Sequence, residues 1–151
     1  MKEIRRIKSL YDKLYDGSPW LDISILSVLS QINAQKAYSR PIANCNTIWE
    51  ITNHIIQWRE AVLRRVSGQI LSAPANNYFE LIDDSSEAAW EHTLQKLNEV
   101  QIKWTEFLDN FTEIQFDDIY PPNEMTYYEH IQGILQHDAY HLGQIVILAK
   151  Q

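Results

Sequence analysis

The chain has 151 residues, of which 45% are hydrophobic and 22% charged, enough to bury a core as one domain spanning 1–151. A net charge of −7 argues against nucleic acid as a partner, because phosphate binding needs concentrated Lys and Arg; the small group Lys2, Arg5, Arg6 and Lys8 reads as one solvated helix face. Four glycines and five prolines are too few for a turn-rich β fold, and the single cysteine, Cys45, permits no internal disulfide.

In chain order, Ile4 to Tyr15 reads as a short helix with Ile4, Ile7, Leu10 or Tyr11, and Leu14 on one side. Asp16-Gly17-Ser18-Pro19 interrupts it, and Trp20 to about Tyr38 is expected to continue as a longer helix, the two together forming one broken first helix. Arg40 to Asn46 is a connector. Thr47-Ile48-Trp49-Glu50 is a capping box ahead of an amphipathic run, with Ile48, Ile51, Ile55, Trp58 and Val62 on its apolar face and Gly68 as the terminator near Val66.

Gln69 to Asp83 is a long connector, and Asp84-Ser85-Ser86-Glu87 is a second possible capping box. It opens a helix through Trp90, Leu94, Leu97, Gln101, Trp104 and Leu108. Asn110 to Met125 reads as a connector without strands, and Thr126-Tyr127-Tyr128-Glu129 caps a final helix. Four long helical segments predict an all-α four-helix bundle. The crossover between the second and third helices is long enough to let them run parallel.

The final helix carries its chemistry on the apolar stripe. Ile134, His137, His141, Ile145 and Leu148 follow helical spacing, so the two imidazoles stand one turn apart on a face where hydrophobic residues belong. Such a pair is half of a metal site, and catalytic sites commonly use three protein ligands plus an open position. His92 is expected to be exposed, and His130 lies about 10 Å from His137 along the axis, too far for the same ion. His54 is the third candidate. It is about 10 Å from the start of its helix, and His141 is about 12 Å from the end of the last one, so the depths agree only if those two helices are antiparallel.

With this set in place, Thr47-Ile48-Trp49-Glu50-x-x-x-His54, Trp58 and the closing His137-Asp138-x-Tyr140-His141-x-Gly143-Gln144-Ile145 resemble the DinB superfamily. Gly17-Ser18-Pro19-Trp20 and Trp90 are similar to its YfiT-like subgroup, and the resemblance covers nearly the whole chain. It implies an up-down-down-up bundle, a divalent metal held by His54, His137 and His141, and a homodimer. It also implies a small-molecule substrate, since characterised relatives include transferases and an isomerase that use low-molecular-weight thiols, while others are assigned to metal-dependent hydrolysis.

Three neutral imidazoles leave the charge of the ion intact, so a water or thiol beside it loses its proton more readily. The site is thus expected to serve either a thiol-dependent transferase or a hydrolase, with a non-catalytic helix-tying ion as the third reading. Three nitrogens suit zinc or nickel first, then copper, iron or manganese.

Around the ligands, Glu50 is one turn before His54 and is a candidate partner for its second ring nitrogen, or else only closes the capping box. Gln144 is a candidate for holding water or substrate, Tyr140 for packing, and Trp58 for a pocket wall or for core. His137-Asp138-x-x-His141 varies the zinc-protease motif, but Asp is shorter than the general base Glu and only ten residues follow, which argues against that class. Cys45 lies about 13 Å before His54 along the helix direction and is expected to be inert. Neither a leader segment nor a membrane span is legible, so a cytoplasmic, membrane-free protein is expected.

Overall fold

The computed structural model describes residues 2–151. It is mostly helical: α1 (Glu3–Tyr15), α2 (Ile25–Leu29), α3 (Ala34–Tyr38), α4 (Ile48–Val66), α5 (Glu87–Asn110) and α6 (Tyr127–Ala149). A 3-10 turn at Glu113–Asp117 and a two-residue ladder, β1 (Ile119–Tyr120) against β2 (Met125–Thr126), separate α5 from α6.

The starts of α4 and α6 follow from the capping boxes. Thr47 Oγ1 accepts from Glu50 N while Glu50 Oε2 accepts from Thr47 N, and Thr126 and Glu129 repeat the exchange. At the far end of α4, Gly68 takes φ +91°, and its N–H and that of Gln69 return to Arg65 and Arg64, a left-handed termination that glycine adopts freely.

Two of the expected starts differ. The continuous helix from Trp20 to Tyr38 is replaced by α2 and α3, because Ser24 and Asn33 turn their side chains onto the backbone N–H of Ser27 and Lys36 and open separate short helices. Trp20 is 96% exposed and belongs to no helix. The α5 cap is Ser86 rather than Asp84; Asp84 instead accepts from Ser86 N, and Glu87 accepts from Ala34 N. The 110–125 connector contains the short ladder, two residues per strand, below the length at which alternation can be read.

Contacts along the long helices set their relative directions pair by pair. On α4 and α5, Trp49 Nε1 donates to Thr93 Oγ1 and Trp104 Nε1 donates to the Arg59 carbonyl, so residue numbers rise together. On α4 and α6 they run oppositely, with His54 beside His141 and Arg59 beside Asp138. On α1 and α5 they also run oppositely, with Lys8 on Asp109 and Tyr15 on Asn98. The core between them is closed by Ile7, Tyr11, Ile55, Leu97, Trp104, Ile131 and Ile145, all buried. Tyr11 Oη donates to the Ile131 carbonyl and its ring stacks on Trp104 at 5.0 Å, joining α1, α5 and α6. No helix among the described residues is long and apolar enough to cross a membrane.

Candidate metal centre

Opposed directions on α4 and α6 bring the three predicted histidines together. One ligand-capable atom from each of His54, His137 and His141 lies within 4.8 Å of the others. The ring centroids are 4.4 Å apart for His137 and His141, 4.6 Å for His54 and His141, and 5.0 Å for His54 and His137.

Each outer ring nitrogen, Nδ1, faces a hydrogen-bond acceptor. His54 Nδ1 is 2.7 Å from the Asn77 carbonyl, His141 Nδ1 is 2.6 Å from Gln144 Oε1, and His137 Nδ1 is 3.3 Å from Asp138 Oδ1. A carbonyl or a carboxylate accepts and cannot donate, so the proton of each neutral ring sits on Nδ1 and the Nε2 lone pair is free. His54 Nε2 and His137 Nε2 approach to 3.0 Å. With both Nδ1 atoms carrying their protons, this close pair has two lone pairs and no hydrogen between them, an arrangement that a shared cation resolves.

Burial favours the neutral form of His54 and His141. It is the main cause that pushes the His54 pKa down to about 4, with the neighbouring histidines adding to it and the Asn77 carbonyl opposing it. Burial likewise lowers the His141 pKa, against the Gln144 hydrogen bond. Neutral imidazole is the form that ligates metals, so the residues present fit a divalent ion with nitrogen preference.

The surroundings differ in part from the sequence expectations. Glu50 does not reach His54: its carboxylate is committed to Thr47 N and, at 2.6 Å, to Arg40, while the Asn77 carbonyl accepts from His54 Nδ1–H. Gln144 fixes His141 directly. Trp58 is a wall rather than core, with its ring 6.1 Å from His137 and 6.4 Å from His54 and its Nε1 on Asn77 Oδ1. Tyr140 is 65% exposed and lies outside the packed core. His92 is exposed, and His130 is buried against Tyr120, outside the histidine cluster. Cys45 is exposed and is not in the cluster.

Three groups were not anticipated. Phe79 stacks on His54 at 3.9 Å with an interplanar angle of 7°. Asn77 and Tyr78 both adopt left-handed backbone, φ +52° and +61°, which aims the Asn77 carbonyl at His54; two such residues in succession are costly without surroundings that hold them. Third, Asp138 is fully buried and ion-paired to fully buried Arg59, whose Nε is 2.7 Å from Asp138 Oδ2. Arg59 Nη1 continues to Gln101 Oε1 at 2.6 Å, and Gln101 reaches Asp12, so the support of His137 extends through α4 and α5 to α1. The connector with Asn76 and Asn77 gave a turn signal but nothing that located the carbonyl; for the ion pair the signal missed is that Arg59 is four residues after Ile55 and Asp138 four after Ile134, charges at helical spacing from the apolar stripes.

The DinB superfamily model matches residues 24–145, a stretch containing all three histidines. The chain belongs to the DinB superfamily. Its fold is also that of a crystal structure described as the conserved protein of a locus from Enterococcus faecalis, with a TM-score of 0.73 at 14% identity, covering 99% of this chain and 96% of that one. No curated protein matches the chain. Within this DinB-superfamily chain, the three clustered histidines are the group of residues able to hold a metal ion among those described.

Proposed function

We propose that His54, His137 and His141 hold one divalent transition metal, zinc or nickel, and that the protein uses it for transfer of a low-molecular-weight thiol to a small electrophile. The observation that carries the metal reading is the 3.0 Å approach of two Nε2 atoms whose Nδ1 protons are already committed to acceptors. Support for the underlying architecture, an up-down-down-up four-helix bundle of α1, α4, α5 and α6 in one domain, comes from the pairwise contacts: α4 and α5 in the same sense, α1 and α6 opposed to them.

A divalent ion at this place supplies positive charge that lowers the pKa of a thiol, ordinarily about 8.5. The chain's own residues do the rest. Asn77, Asp138 and Gln144 hold each imidazole in one tautomer and one orientation. Phe79 and Trp58 cover His54 from the connector and α4, excluding water from that side. The side chain of His137 remains 23% exposed, leaving a way in for substrate, which favours an enzyme over a closed structural ion.

Thiol transfer is favoured over hydrolysis by the state of the two carboxylates that the chain offers beside the ligands' helix turns, Asp138 next to His137 and Glu50 one turn before His54. Asp138 is bound to Arg59 and His137, and Glu50 to Thr47 and Arg40, so neither is free to take a proton from water. A thiol needs much less help to ionise than water.

The test is a comparison of chelator-treated protein with protein reconstituted with zinc or nickel, assayed for thiol consumption in the presence of an alkylating electrophile and, separately, for ester hydrolysis. Metal-dependent thiol consumption is expected. Metal-dependent hydrolysis without it would move the assignment to a hydrolase, and no metal-dependent turnover of either kind would leave the helix-tying ion.

A further inference from the structure

On the same face of α4 as His54 and Trp58 lies Arg65, which forms no ion pair among the described residues. Its residue is 8% exposed, and its Nε has no hydrogen-bond partner. The guanidinium is held instead between two aromatic rings, 5.2 Å from the centroid of Trp58 and 5.2 Å from that of Tyr120. These two cation–π contacts leave the Nε–H unanswered, and a buried guanidinium with an idle donor is costly.

The direction of that side chain matters. Side chains on a helix lean toward its N-terminus, so Arg65 reaches back along α4 to Trp58, the residue that also walls His54 and His137. Across from this stretch, α6 carries Gly133, on one face with His130 and His137. A Cβ placed at Gly133 would meet nothing within 4 Å, so the helix surface there is open. His130, next to Tyr120, has its pKa held down by burial first and by the Arg65 charge second, so the Arg65 charge is felt on this part of α6.

We propose that Arg65, clamped between Trp58 and Tyr120, is the anchor for an oxyanion of the substrate, a carboxylate or a phosphate group, whose reacting end lies at the histidine cluster. The planar fork of the guanidinium matches both anions, and the aromatic clamp holds it ready. The Trp58 indole is the common wall along which such a molecule lies. This deepens the metal-centre reading and places the substrate among small anions.

The experiment uses the full chain, both metal-free and after incubation with zinc, and follows the Arg65 Nε–H and Trp58 Nε1–H signals by proton–nitrogen NMR. Inorganic phosphate and acetate are titrated at constant ionic strength, with chloride as the reference. A saturable shift of both signals with phosphate or acetate but not chloride is expected, and which of the two anions produces it distinguishes a phosphoryl from a carboxylate group. In Arg65→Gln the Trp58 shift should vanish, and in Arg65→Lys, which keeps the charge without the fork, the midpoint should rise about tenfold. His54→Ala should keep the response, so failure of the metal centre and failure of the anion site are read separately. Absence of saturation with either anion, an equal response to chloride, or an unchanged Trp58 response in Arg65→Lys or Arg65→Gln would overturn the proposal.

Discussion

Asp138 is the hinge between the core and the histidine cluster: one carboxylate oxygen is 2.7 Å from Arg59 Nε, and the other is 3.3 Å from His137 Nδ1. Both members of the ion pair are wholly buried, so each depends on the other. Removing one partner by Asp138→Ala strands the Arg59 charge, and the expected loss is about 3–5 kcal/mol of folding stability. Asp138→Asn keeps the shape and removes the charge; zinc affinity should fall about 10–100-fold. Urea unfolding and competitive zinc titration check the two variants, and an unchanged zinc affinity in Asp138→Asn would show that the carboxylate does not support His137.

Glu50 and Gln144 should separate cleanly. Glu50→Gln weakens the α4 capping box and the Arg40 pair, so stability should fall by about 1 kcal/mol while zinc affinity stays within about twofold. Gln144→Leu removes the acceptor of the His141 proton, and zinc affinity should fall about tenfold or more. Zinc titration of the two variants side by side decides it; the reverse ranking would restore Glu50 as the partner of a ligand.

The pH dependence of the metal-free protein has a definite sign. His54 has a folded pKa of about 4, lowered chiefly by burial, whereas in the unfolded chain it titrates near 6.5. Between these values the unfolded state binds the proton and the folded state does not, so stability falls as pH drops from about 6.5 toward 4. His141, also lowered by burial, adds in the same direction. Melting temperatures from pH 7 to pH 4.5 should decline in chelator-treated wild type and decline less in His54→Gln. A profile equally steep in that variant would assign the loss to other groups.

Gly133 occupies the interior of α6 with open space where a Cβ would stand. Gly133→Ala should stabilise the protein by about 0.5–1 kcal/mol, the usual difference in a helix interior, measured by urea unfolding. Destabilisation would mean that the backbone there is approached more closely than the open space indicates.

Much of the fold was legible because its signals are local. The capping boxes at Thr47 and Thr126 and the glycine stop at Gly68 depend on a few adjacent residues, and all three appear as expected. The histidine set was legible for a different reason: polar rings at His137 and His141 interrupt an apolar stripe, and the depth of His54 matched theirs only for opposed helices. What could not be read is set by tertiary contact. Nothing local in Asn77 announces that its carbonyl will face His54, since that depends on where the 20-residue crossover between α4 and α5 (residues 67–86) is pinned, and the pinning comes from Tyr120 Oη on Leu71 and Trp58 on Asn77. The helix expected from Trp20 to Tyr38 failed because Ser24 and Asn33 compete for the backbone more strongly than the apolar spacing favours continuity.

Metal content of the purified protein decides whether His54, His137 and His141 hold an ion. Elemental analysis of wild type after incubation with zinc, nickel and manganese, beside His54→Ala and His141→Ala, should give about one transition-metal ion per wild-type chain and almost none in either variant. A wild-type protein that stays free of metal under these conditions, or variants that retain it, would contradict the account and leave the three histidines as buried rings of the α4–α6 interface.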